Sequence, residues 1–152
     1  MSEESALGLD GLVNQAEALF AQDEVESAFQ LLVQVVDVNP NHARALNDLG
    51  TVCYSRGALD YAAQFYRRVL DLEPENLICR TNLVTLLLDQ GQLVPARELL
   101  AAGAFIYPGD AALAELEQEL ERREQIDGTL FAVADVLDRF GDVEPVPGEA
   151  AS

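Results

Sequence analysis

The chain has 152 residues, 49% of them hydrophobic, and a formal net charge of −18, which is enough apolar material for one compact core and too much for a disordered chain. All nine basic residues are arginine, and residues 1–42 and 111–152 each carry −8, a field that repels phosphate backbones and anionic lipid and so excludes nucleic acid and membrane as partners. A basic partner is one reading of this acidity, and solubility or a saline surrounding is the other.

Residues 1–8 read as a disordered N-terminus, and the acidic start from Met1 to Gly11 lacks the basic segment and apolar run of a signal peptide. Apolar residues then recur at helical spacing, first Leu12, Ala16 and Leu19, then Val25, Ala28, Leu32 and Val35. The same rhythm continues through Leu46, Leu49 and Cys53, and through Leu59, Ala62, Tyr66 and Val69. It predicts helices near 9–22, 25–38, 43–56, 59–72, 77–90 and 93–106. Asp110 can N-cap a further helix over 111–125. Gly128 is expected to break the chain before a last helix over 129–140, and 141–152, with two prolines and two glycines, reads as a disordered tail. The longest apolar run, 99–107, is nine residues, short of the roughly 20 that span a bilayer. A cytoplasmic protein is expected.

Sliding the chain by 34 residues brings Pro40, Pro74 and Pro108 into one column and Ala28, Ala62 and Ala96 into another. Leu32, Tyr66 and Leu100 form a third column, and Asp23, Gly57 and Gly91 a turn column. Each proline stops a helix, Gly57 and Gly91 supply a positive φ, and Gly50 and Ala62 are small where two antiparallel helices approach closely. The middle unit runs Leu46, Leu49-Gly50, Cys53, Gly57, Ala62, Tyr66, Pro74. That order resembles the tetratricopeptide repeat (TPR) pattern, in phase three times over residues 9–110. The resemblance implies an all-α, right-handed solenoid of helix–turn–helix repeats at 9–42, 43–76 and 77–110. The stretches 111–125 and 129–140 would be capping helices, within a single domain over 9–140.

In that family the first helix of each pair lines a concave groove that takes extended or helical peptides. The register then aligns Asn14, Asp48 and Asn82 in one row, Glu17, Thr51 and Thr85 in the next, and Phe20, Tyr54 and Leu88 in a third, with Arg44 and Asn47 at the mouth of the middle helix. Asparagine donates and accepts at once, which suits reading a peptide backbone, and the apolar row would take partner side chains. The other reading makes the polar rows ordinary solvated surface and the apolar row packing under a neighbour. Chaperone-binding members grip a C-terminal carboxylate with lysine, arginine and asparagine. At the matching positions this chain has Val13, Glu17, Asp48, Ile78 and Asn82, so carboxylate-clamp chaperone binding is not expected.

No constellation points to an enzyme, a metal or a cofactor. His42 reads as a solvated turn residue without a nucleophile to serve, Cys53 as core, and Cys79, near a helix start, as a thiol with only Arg80 beside it. The two cysteines have no CxxC partner and read as free thiols. The leading expectation is a non-enzymatic scaffold or adaptor that binds a protein or peptide in its groove. The rivals are a homo-oligomer formed through the groove or the C-terminal helix, and a regulatory subunit of an enzyme or secretion complex. With −8 at each end, self-repulsion opposes compaction. Raising ionic strength from low to moderate should therefore raise the melting temperature, and a flat or falling response in a thermal melt would contradict this.

Overall fold

The computed structural model describes residues 3–141, with side chains from Gly8 onward. Within them the chain forms seven α-helices and no strand: α1 (Glu3–Ala21), α2 (Val25–Val38), α3 (Ala43–Ser55), α4 (Leu59–Leu72), α5 (Leu77–Asp89), α6 (Leu93–Ile106) and α7 (Ala111–Phe140). The six repeat helices sit where the periodicity puts them. Among the described residues no helix is long and apolar enough to cross a membrane.

The connections inside each pair are three copies of one turn. Asp23, Gly57 and Gly91 take φ of 64°, 75° and 70°. The next amide reaches back five residues in every case, Glu24 to Leu19 at 2.8 Å, Ala58 to Cys53 at 2.9 Å and Gln92 to Leu87 at 2.8 Å. This satisfies carbonyls that a helix end otherwise leaves open. Between pairs the prolines act one residue upstream. Asn39, Glu73 and Tyr107 are forced out of the helical region, with φ between −135° and −125°. The next pair is then started by a side-chain cap in the same register. His42 Nδ1, Asn76 Oδ1 and Asp110 Oδ1 accept from the amides of Ala45, Cys79 and Leu113. His42 is therefore not the solvated turn residue expected. Its ring is 12% exposed and its Nε2 lies 2.8 Å from Asp10 Oδ1. With Nδ1 accepting, Nε2 carries the proton and donates to the carboxylate.

Helices pack in chain order, and α1 also touches α3, as α5 touches α7. No comparably close pair forms among α2, α4 and α6. The odd-numbered helices thus form the inner layer of a curved all-α solenoid. The core is two apolar clusters, one spanning α1 to α3 and the other α3 to α7, with Val36 and Phe65 packed against both. Ala28, Ala62 and Ala96 have no exposed surface. A Cβ on Gly50 would come within 2.6 Å of the Tyr66 ring, so that glycine is what lets the tyrosine lie between α3 and α4.

Two predicted boundaries change. α1 starts at Glu3, so residues 3–8 are helical rather than disordered. Gly128 does not break the chain: α7 runs through it for 30 residues, because one glycine costs a helix only about 1 kcal/mol. The expected tail falls outside the described residues beyond Gly141. Arg80, noted in the sequence only as the neighbour of Cys79, is buried at 5% exposure. It donates to the carbonyls of Pro74 at 2.7 Å and Leu99 at 3.2 Å, in space that Gly103 leaves open.

The filled alanine column carries a direct test. Ala62→Leu should lower stability by roughly 1–3 kcal/mol, the usual cost of overpacking a full site, and an unchanged denaturation midpoint would show that the helices have room to separate.

Candidate partner-binding groove

The inner face of α1, α3 and α5 presents the predicted rows, but most members are already tied to one another. Arg44 on α3 donates to Glu17 on α1 through Nε at 2.8 Å and Nη2 at 2.5 Å, and Nη2 also reaches Asn14 Oδ1 at 2.7 Å. Asn82 Nδ2 on α5 lies 3.4 Å from Asn47 Oδ1 on α3. The Tyr54 hydroxyl donates to Asp89 on α5. Thr51 pairs with the Tyr66 hydroxyl at 3.0 Å, and Thr85 donates to its own helix at Thr81 O. Asn14, Glu17, Arg44 and Thr85 are exposed, and Phe20, Asn47, Asp48, Thr51, Tyr54 and Asn82 are half-buried.

Leu88 does not belong to this surface. It is 2% exposed and part of the core, because α7 packs on α5 and Arg123 caps the Leu88 carbonyl there. The apolar strip is therefore Phe20 and Tyr54 alone. Sequence reasoning also missed Asp89 and Arg123. A signal for both existed. Three of the contacts between successive inner helices, Asn47/Asn82, Tyr54/Asp89 and Leu88/Arg123, are 35 residues apart, one more than the repeat, so scanning for equal positions cannot find them.

Between α1 and α3 lies a cavity of about 80 Å³ walled by Ala16, Phe20, Leu32 and Val52, with Glu17 and Asp48 on its rim. Asp48 Oδ2 is buried without a hydrogen-bond partner. Burial, and then the neighbouring Glu17, push the Asp48 carboxyl up to about 7, while the Arg44 guanidinium holds Glu17 below the usual carboxylate range. The proton of this pair therefore sits on Asp48. His42 and the thiols offer no chemistry. Cys79 is fully buried, its Sγ 3.2 Å from the Tyr66 carbonyl, and burial pushes it up to about 12. Cys53 is also raised by burial, and both cysteines are free. Among the described residues no group of three or more His, Cys, Asp or Glu could hold a metal ion.

A raised acid is a stability cost at high pH. The native state holds a proton on Asp48 that the unfolded chain releases near 3.8. Its contribution is thus complete below about pH 4 and is lost as pH rises through about 7. Asp48→Asn keeps the shape without the charge. Relative to the wild type it should gain on the order of 1–2 kcal/mol at pH 8, after allowance for solvent screening, and almost nothing at pH 4. Denaturant titrations at the two pH values check this, and an equal effect at both would place the benefit in packing rather than in charge.

Tetratricopeptide repeat models match residues 13–76 and 54–120. A curated relative, the uncharacterized protein y4yS of Sinorhizobium fredii, is 35% identical over 75 residues, covering 49% of this chain and 41% of the relative, so the chain spans under half of that protein. Among solved structures, the Arabidopsis OM64 TPR domain superposes with a TM-score of 0.68 at 10% identity, over 75% of this chain and 94% of that one. The first TPR of Spaghetti (RPAP3) bound to the HSP90 peptide SRMEEVD gives 0.68 at 12% identity, over 79% and 95%. A Thermobaculum terrenum O-GlcNAc transferase mutant gives 0.69 at 23% identity, over 79% of this chain and 23% of that one. With three in-phase helix pairs and two family models joined over residues 13–120, the chain belongs to the tetratricopeptide repeat family.

Proposed function

We propose that the protein is a non-catalytic scaffold that docks an extended or helical segment of a partner protein along α1, α3 and α5. The observation that carries this reading is the Asn47–Asn82 pair. Two half-buried amides on successive inner helices meet through one long hydrogen bond of 3.4 Å. Each keeps donors or acceptors to offer a peptide backbone. Tyr54 stands two turns along α3 from Asn47 and Phe20 at the corresponding place on α1, an aromatic pair for partner side chains. The family supports the class of function, since its repeats serve protein interaction.

The charge of the groove narrows the partner. Arg44 is engaged by Glu17, Asp48 sits beside it, and Asp89 lies at the other end. An acidic segment meets Arg44 already engaged by Glu17, whereas a neutral or basic segment meets carboxylates.

Asn47→Ala with Asn82→Ala tests this reading. Losing two backbone-reading amides at about 0.5–1.5 kcal/mol each weakens partner binding by roughly tenfold or more. The melting temperature should hardly move, because neither side chain fills the core. Quantitative capture of binding partners by wild type and double variant, beside a thermal melt, gives both readings. Undiminished capture by a folded variant would move the docking surface elsewhere.

A further inference from the structure

The C-terminal half of α7 leaves the solenoid. Leu113 and Leu120 are its only buried residues. Its last ties to the body are Arg123, bound to the Leu88 carbonyl and 2.7 Å from Glu119, and Glu124, paired with Arg97. Every residue from Gln125 to Phe140 is exposed. A helix of that length is marginal in water by itself, and this one carries Ile126, Leu130, Val133, Leu137 and Phe140, each between 48% and 73% exposed.

Their spacing is four, three, four, three, the seam of a helix that pairs with another helix. It lies about a third of a turn from the Leu113–Leu120 stripe that packs on α5 and α6, so it serves a different contact. The positions flanking the seam are Asp127, Thr129, Ala134 and Val136. In a chain of net charge −18, one charge among nine seam and flank positions leaves a strip that can meet its own copy without like charges opposed. The remaining charges of the segment lie on the far side, where Arg139 pairs with Asp135 at 3.1 Å. That acidic far side disfavours an anionic lipid surface as occupant.

We infer that two copies of this chain associate through residues 126–140 of α7, packed antiparallel as a short coiled coil. The antiparallel arrangement sets Leu130 of one copy against Val133 of the other and Ile126 against Leu137. It also holds the two acidic solenoids at opposite ends, where a parallel pair would press them together. The seam side chains each leave on the order of 100 Å² uncovered, so a pair with its flanking residues buries on the order of 1,000–1,400 Å² in total, at the lower end of specific interfaces. Such a dimer exchanges with monomer and tightens as salt screens the two bodies. The inference does not rest on the groove, since none of the seam residues is among the groove residues of α1, α3 and α5.

The test is the mass of the full chain by sedimentation equilibrium over a range of concentrations and salt. A dimer of twice 16.5 kDa that dissociates on dilution and strengthens with salt is expected. Leu130→Glu with Leu137→Glu should be monomeric throughout with reduced helix content by circular dichroism. Phe131→Ser, altered on the opposite side of the same helix where Phe131 is 77% exposed, should dimerise like the wild type. A monomeric wild type at every concentration overturns the inference, whether the seam folds back on its own groove or waits for a different protein. So does a dimer that survives the double variant, or one that Phe131→Ser disrupts equally, which would be unspecific adhesion.

Discussion

The structure depends on how closely two antiparallel helices can approach within each repeat. Ala28, Ala62 and Ala96 have no exposed surface, and Gly50 admits the Tyr66 ring at a distance no side chain would tolerate. Where the middle repeat pairs glycine with tyrosine, the first repeat has Ala16 with Leu32 at the same register, so volume moves across the interface while its total is held, and the third has the bulkier Val84 with Leu100. That spacing brings successive inner helices near enough for side chains to bridge them. Without it neither the Asn47–Asn82 contact nor the Arg44–Glu17 pair could form.

Those bridges give the inner face its character. A loose row of solvated amides would have to be ordered by a ligand, whereas side chains already held by neighbours lose less freedom on binding. The same bridging has an electrostatic cost at Asp48, whose carboxyl is pushed up by burial and by the neighbouring Glu17. The −18 net charge has a similar double edge. It keeps separate copies soluble and opposes compaction at both ends, and the two middle segments, nearly neutral, are left to hold the stack.

α7 is where the repeat stops being a repeat. It starts in phase, with Asp110 capping as His42 and Asn76 do, and covers Leu88 and the open face of the third pair. It then continues past any partner among the described residues. A solenoid needs a polar cap, and the first third of α7, with glutamates outside and Leu113 and Leu120 inside, is one. The rest is an apolar helix with no role in closing the stack, which makes it a second contact surface rather than a cap.

Much of this was legible before any coordinates. The 34-residue columns, the six repeat helices, the left-handed turn at Gly57 and Gly91, and the small residues at the close approach follow from local rules: helical period, the φ that glycine permits and the amide that proline lacks. Those rules act within a turn or two of chain, so one sequence suffices to read them. Other features depended on which helix lands beside which. Leu88 has the same local pattern as Tyr54 and differs only because α7 covers it. His42 looks like any connector residue until Ala45 folds over it and Asp10 arrives from another helix. Gly128 carries a helix-breaking signal too weak to act against thirty residues of helix. Arg80 stands where the earlier repeats have Leu12 and Leu46, and only the carbonyls of Pro74 and Leu99, brought together by packing, give it a reason to be inside. Periodicity along the chain determined the repeat; contacts between helices, which do not follow that period, decided which of its polar and apolar side chains remain free to meet a partner.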